Sequence, residues 1–446
     1  MKHPASTIRK NNNFLIKLFV SISAFVFLVF AFGPYRYFLY SAEGILYYII
    51  VNAIFLVALG SARLFTMNNI APSIVSPTPT FVLSNMAKKV CVVIALFSIV
   101  CALLYSAEAL RIVGVESAIN AEDTRILFGA QRSSVSKIAE FGMFAGPASF
   151  LILSRASFSH SKTIRLLSYV ALLLPGVSTL LLGARWRMFV VLLLMLFSIL
   201  GANAKRATVS KRITRVTSRL GNIKIGRALA ILMGLAVFAL AIWAFMRLFA
   251  SRGLLSAQQL YLFVPGDMSM RPFYESLLAQ TSGAIEPLYK VANYIAQSPA
   301  VFSRIFEYNI PDTSFLGAYM FRVLSYFIPG FPDSDMSSEG VFGGLYSGFV
   351  YGFIIDFGIL IAPIVVFIAG VLLSKIEQHR FDNKYCFILY PVACSVVACA
   401  PFYYFVHVGS IDYVLFWFAI LVLLTNKGSC LRSASVDQSD SKGCSK

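Results

Sequence analysis

Charge is scarce in this chain. Only 13% of its 446 residues are Asp, Glu, Lys or Arg, where a soluble domain carries about 25%. That excludes a fold wetted on every side. Acid is scarcer still, with 20 acidic residues against 38 basic ones. Polar disulfide chemistry is missing too. The seven cysteines, Cys91, Cys101, Cys386, Cys394, Cys399, Cys430 and Cys444, lie in apolar runs or in the C-terminal tail, so no disulfide framework is expected. No Walker loop, dinucleotide fingerprint or zinc-ligand spacing occurs, which leaves ATP-driven chemistry unsupported and no cofactor expected.

Apolar residues fill the gap. The chain is 58% hydrophobic and 14% aromatic, with a mean hydropathy of +0.76. A membrane span takes about 20 largely apolar residues, and ten runs qualify once the shorter ones extend into their flanks: Phe14–Phe32, Gly44–Gly60, Val90–Ala107, Ile138–Ser154, Leu166–Gly183, Met188–Ala202, Ala228–Ala250, Phe357–Ser374, Tyr385–Val406 and Tyr413–Thr425. The first follows Lys2, Arg9 and Lys10 as a signal peptide would. "AFGPYRYFLY" after it offers no small-x-small cleavage site, so it reads as an uncleaved span. The expectation is an all-α polytopic integral membrane protein, residues 1–446 as one domain, with about ten and up to twelve spans.

A net charge of +18 invites a nucleic-acid partner, but its placement argues otherwise. With the N-terminus inside and spans alternating, the inner segments hold 24 of the 38 basic residues and 4 of the 20 acidic ones. The outer segments hold 12 basic and 15 acidic. The loop "KRATVSKRITRVTSRLGNIKIGR" has eight basic residues and no acid. This is the positive-inside asymmetry of a membrane protein with both termini cytoplasmic, and no nucleic acid is needed to explain the charge.

The outer face carries one large loop, residues 251–356. "IEPLYKVANYIAQS" places Leu288, Val291, Ala292 and Ile295 on one helical face. "LGAYMFRVLSYF" repeats the helical period, with Asp312 or Thr313 placed to cap it. Such amphipathic helices commonly lie in the membrane interface. In "GGLYSGFVYGFIIDFG", Gly344, Gly348, Gly352 and Asp356 recur every four residues and form a small-residue ridge that admits a neighbouring backbone. The stretch Val341–Ile355 reads as re-entrant or interfacial, because a full crossing would carry seven basic residues outward. The acidic run Asp333, Asp335 and Glu339 reads as a solvated loop, and no metal is expected.

"TLLLGARWRMFVVLLLML" sets Arg185 and Arg187 between two apolar runs, at the outer turn between the fifth and sixth spans. Arginine in a span costs at least about 2.5–3.5 kcal/mol at the bilayer centre, and its fork matches phosphate oxygens bidentately. Arg271 and Arg322 lie in the large loop. Outer-face arginines therefore point to an anionic ligand reached from the membrane. His407, with Asp412 nearby, is placed to act as a general base, and Asp356 at the end of the glycine ridge is the other candidate.

This arrangement resembles the Wzy-type O-antigen polymerases, oligosaccharide repeat-unit polymerases of bacterial inner membranes. The "GARWR" turn (Gly183–Arg187), the single large late loop and the glycine-rich aromatic stretch ending in "DFG" (Gly344–Gly358) carry the resemblance. It implies a donor glycan on undecaprenyl pyrophosphate, a lipid-linked repeat unit as acceptor, and a separate chain-length regulator as partner. It also implies that Arg185 and Arg187, with Arg322 or Arg271, hold the pyrophosphate, while His407 or Asp356 activates the acceptor. An O-antigen ligase and a lipid-oligosaccharide flippase are the neighbouring readings.

Overall fold

The computed structural model describes residues 13–39, 41–64, 80–116, 128, 131–155, 162–182, 187–200, 268–281, 285–303, 306, 328, 348–380, 383–402, 410–425 and 429–432. These residues are mostly helical. The helices are α1 (Phe14–Phe32), α2 (Ala42–Leu64), α3 (Asn85–Val113), α4 (Ser134–Met143), α5 (Ala145–Arg155), α6 (Lys162–Leu180), α7 (Arg187–Leu200), α8 (Pro272–Gln280), α9 (Glu286–Phe302), α10 (Gly348–His379), α11 (Lys384–Cys399) and α12 (Ile411–Thr425). Five are long and apolar enough to cross a membrane, within α1, α2, α3, α6 and α10, and α7, α11 and α12 are shorter apolar helices. That suggests a membrane-embedded protein. A lipid-facing surface fits it: Leu360 on α10, 88% exposed, and Leu423 on α12, 80% exposed, stand out from the bundle rather than into it.

Two short antiparallel ladders tie distant loops together. Strand β1 (Tyr35–Tyr37) pairs with β3 (Met268–Met270), with Arg36 opposite Ser269. Strand β2 (Thr80–Leu83) pairs with β4 (Ser429–Arg432), with Phe81 opposite Leu431. An all-helical reading of the sequence did not contain them.

Contacts sort the element ends into two groups. At one end, the first amides of α1 would be orphaned, and Glu377 of α10 takes two of them: Phe14 N–H and Leu15 N–H donate to its Oε1 at 2.8 and 3.3 Å. The β2–β4 ladder, Ser374 (Oγ donating to Leu59 O, 2.7 Å) and Arg155 at the end of α5 belong to this end. At the other, Tyr48 Oη donates to Pro401 O at 2.8 Å, and the β1–β3 ladder, α8 and α9 gather around the close of α1. Tyr274 Oη donates to Phe32 O at 2.7 Å.

Prolines inside the helices free carbonyls that apolar surroundings cannot satisfy, and neighbouring helices answer them. Pro363 on α10 removes the amide that would bond Ile359 O, and Tyr47 Oη donates to that oxygen at 2.7 Å. Pro147 does the same to Met143 O, which accepts from Ser98 Oγ at 2.5 Å. The run expected as one span, Ile138–Ser154, is broken here into α4 and α5 at Phe144. Glycines bring the backbones close at the break. A Cβ on Gly146 would lie 2.1 Å from Ala171 O, and one on Gly142 2.5 Å from Cys101 Sγ.

Helix α10 is also divided. Gly358 has φ 74° and ψ 169°, a left-handed backbone that favours glycine, and it separates a short segment beginning at Gly348 from the long apolar one. The expected re-entrant stretch thus ends in a short helix, with Phe349 N–H donating to Ala400 O at 3.0 Å. Of the glycine ridge, Gly344 lies outside the described residues. A close approach on α10 occurs at Gly370, where a Cβ would lie 2.6 Å from Ala58 Cβ.

Helix α9 turns a different face inward from the one its apolar period selects. Leu288 is exposed, whereas Tyr289, Asn293, Ala296, Gln297 and Ala300 are buried. The polar residues are taken in because they have partners: Tyr37 Oη donates to Asn293 Oδ1 at 2.6 Å, and Tyr289 Oη donates to Tyr274 O at 3.1 Å. The helix around Asp312–Phe327 lies outside the described residues.

Candidate functional site

The site grows from the start of α4. Ser133 caps that helix, its Oγ accepting from Ser136 N–H at 3.2 Å. Glu108, one turn from the end of α3, holds the cap in place: Ser133 N–H and Oγ–H donate to its two carboxylate oxygens at 2.8 and 2.9 Å. This fixes Arg132, the residue before the cap, so that its fork reaches back over the first two turns of α4. There it meets Glu140.

Glu140 is buried, 4% exposed, and lies between two guanidinium groups. Arg132 Nη1 donates to its Oε2 at 2.8 Å, and Arg187 Nη2 sits 2.5 Å from its Oε1. Arg187 is the first residue of α7, where the chain re-enters the bundle. Its guanidinium carbon stands 5.6 Å over the ring of Phe144, a cation–π arrangement that strengthens as water is excluded. Tyr105 of α3 and Tyr413 of α12 lie within electrostatic reach of Arg187.

Aromatic packing makes the wall rigid. Phe141 stacks on Trp417 with ring centroids 5.2 Å apart, and Trp417 Nε1–H donates to Phe141 O at 2.9 Å. Tyr413 packs edge-on against both Phe141 and Phe144. Asp412 is buried beside Tyr413 at the start of α12, and Ser410, at φ 59°, turns the chain into that helix.

Two guanidinium groups share one carboxylate, so the cluster keeps an excess positive charge in partly buried surroundings. Such a charge favours an anion at its open side. Both arginine side chains keep some exposure, 17% for Arg132 and 20% for Arg187.

The residues expected from the sequence fall in different places. Arg187 is in the cluster, held by Glu140 rather than standing free. Arg185, Arg322 and His407 lie outside the described residues. Arg271 opens α8. Its Nη2 donates to Ala31 O at the close of α1. Asp356 is fully buried on α10 ahead of Gly358, amid Phe353, Ile354 and their neighbours. The described contacts do not bring Asp356 or Arg271 to Arg187. Glu140, Arg132 and Tyr105 were not expected. The signal for Glu140 was an acid inside the first turns of an apolar run, "KIAEFGMF", which is costly unless partnered.

Among the described residues, no cluster of three or more His, Cys, Asp or Glu could hold a metal ion. The architecture and this cluster define a class no finer than a helical, membrane-embedded protein with a buried arginine–carboxylate site. No family model, curated protein or solved structure matches the chain.

Proposed function

We propose that this chain polymerises oligosaccharide repeat units carried on undecaprenyl pyrophosphate, at the periplasmic face of a bacterial inner membrane. In this reading it crosses the membrane about ten times with both termini in the cytoplasm. The end of the bundle bearing Arg187 and Glu140 faces outward, in line with the charge asymmetry of the loops.

The observation that carries the proposal is the Arg132–Glu140–Arg187 cluster. Glycosyl transfer from a lipid pyrophosphate develops negative charge on the leaving group, and positive groups held in place beforehand stabilise it most. Glu140 fixes the two forks, while the net charge left over is available to phosphate oxygens. Arg185 adjoins the cluster in sequence, and Arg271 and Arg322 are the large-loop residues that would complete the clamp.

The reaction follows. A sugar hydroxyl of the lipid-linked acceptor attacks the anomeric carbon of the growing donor chain. The new glycosidic bond forms as the bond to pyrophosphate breaks, and the electron pair leaves with the lipid pyrophosphate. The hydroxyl proton passes to a base, His407 or Asp356. No cofactor or metal is required, and a chain-length regulator would act as a separate partner.

Deleting the gene and displaying the cell's lipopolysaccharide on a gel tests this. Core capped by one repeat unit, with the ladder restored by wild type but not by Arg187→Ala, is the expected result. Loss of every repeat unit from the core would point instead to ligation or flipping.

A further inference from the structure

The opposite end of the bundle holds a second pair of buried arginines that the proposed reaction does not use. Arg155 closes α5 and is 6% exposed; Arg380 follows α10 and is 9% exposed. Both stack on one helix. The guanidinium carbon of Arg155 stands 4.9 Å over the ring of Phe387, and that of Arg380 stands 4.6 Å over the ring of Tyr390. Phe387 and Tyr390 are three residues apart on α11, on neighbouring positions of one face. The two cations are close enough to act on each other and on Cys394.

Glu377 lies at the same corner, where it accepts from Phe14 N–H and Leu15 N–H through Oε1 and acts with both arginines on Cys394. Arg155 Nε and Nη2 are buried and make no hydrogen bond. A guanidinium carries five donors in a planar fork, and Nε with one Nη is the edge that grips two oxygens of one anion. Stacking on Phe387 fixes the plane of that fork and leaves the edge unused.

We propose that Arg155 and Arg380 form a binding site for a phosphate group, with Arg155 Nε and Nη2 as its bidentate donors. A phosphate group reaches this end of the bundle either as the headgroup of an anionic phospholipid or as a soluble phosphate. The chemistry of recognition is the same for both sources. This inference stands apart from the proposed reaction and from which end faces the cytoplasm.

The test uses the purified full-length chain in phosphatidylcholine nanodiscs, followed by thermal unfolding. One arm titrates phosphatidylglycerol into the disc; the other adds inorganic phosphate to the buffer. A saturable rise in melting temperature in the first arm identifies a lipid headgroup, and one in the second a soluble phosphate. Arg155→Gln should raise the half-saturating concentration about tenfold, the loss of one charged hydrogen-bond pair. Arg155→Lys, which keeps the charge without the fork, should fall between the two. Lys89→Gln, an exposed cation at the same end, should respond as wild type. No saturable response of wild type to either probe would overturn the proposal, a reading available even if a variant fails to fold. So would an unchanged response in Arg155→Gln, or an equal loss in Lys89→Gln.

Discussion

The two ends of the helical bundle treat arginine differently. At one, Arg132 and Arg187 are partly exposed and share the carboxylate of Glu140 at 2.8 and 2.5 Å. At the other, Arg155 and Arg380 are less exposed, rest on aromatic rings, and Arg155 leaves two of its nitrogens unbonded. The pairing at the first end is built into the protein, so the forks are oriented before any ligand arrives. The stacking at the second fixes the plane of each fork. A site meant to stabilise developing charge needs the first arrangement; a site that holds an anion at rest can use the second.

Removing the carboxylate breaks the comparison most strongly. Glu140→Gln leaves two partly buried cations facing each other across a neutral amide, and loss of one partner of a buried pair costs about 3–5 kcal/mol. A sharply lowered unfolding midpoint in detergent is expected, with more loss than from Arg132→Gln, which leaves the Arg187 pair intact. Closing the gap between helices is next. Gly146→Ala drives a Cβ to 2.1 Å from Ala171 O, a clash with backbone that should cost about 1–3 kcal/mol, seen as a lower midpoint at unchanged pH.

Ser98→Ala removes the hydroxyl that answers Met143 O, freed by Pro147. An unmet buried acceptor costs about 1–3 kcal/mol, and the midpoint should drop accordingly, whereas Ser276→Ala on the exposed α8 should not move it.

Tyr37→Phe is smaller and has a pH signature. Burial, with Tyr35 adding to it, pushes the Tyr37 hydroxyl well above the ordinary tyrosine range, and that hydroxyl donates to Asn293. Its contribution is therefore present below pH of about 10, the ordinary tyrosine value, and is lost as pH rises beyond it. The variant should cost about 1 kcal/mol at neutral pH and show a flatter loss of stability above pH of about 10. Smallest is Leu288→Gln, on the exposed face of α9, expected within about 0.5 kcal/mol of wild type; Ala296→Gln on the buried face should not be tolerated so well.

Apolar length was legible where nothing interrupted it. The run Phe14–Phe32 coincides with α1, the runs Gly44–Gly60 and Val90–Ala107 lie within longer helices, and Leu166–Gly183 overlaps α6, which ends at Leu180. Interruption was not legible. Gly142, Gly146 and Pro147 read as part of an apolar run, and only the oxygen of Met143 meeting Ser98 shows why the chain can break there. The face of α9 was misjudged because Asn293 counts as polar until Tyr37, far away in sequence, is seen to bond it. The β1–β3 and β2–β4 ladders are short and join loops hundreds of residues apart, so neither leaves a periodic trace. In the site, Arg187 was found by its cost in an apolar stretch. Its partner Glu140 carried the same signal, an acid within a span, and the two are matched only where the start of α7 meets α4 in the fold.

Reconstitution tests the central claim most directly. The purified chain in liposomes is given undecaprenyl-pyrophosphate-linked repeat units, and the products are sized after mild acid release of the glycan. The account predicts lipid-linked chains of two or more units with one undecaprenyl pyrophosphate freed per bond formed, and loss of both products in Arg187→Ala assayed well below its own unfolding midpoint. Repeat units that remain single with active substrate and folded wild-type protein would contradict it.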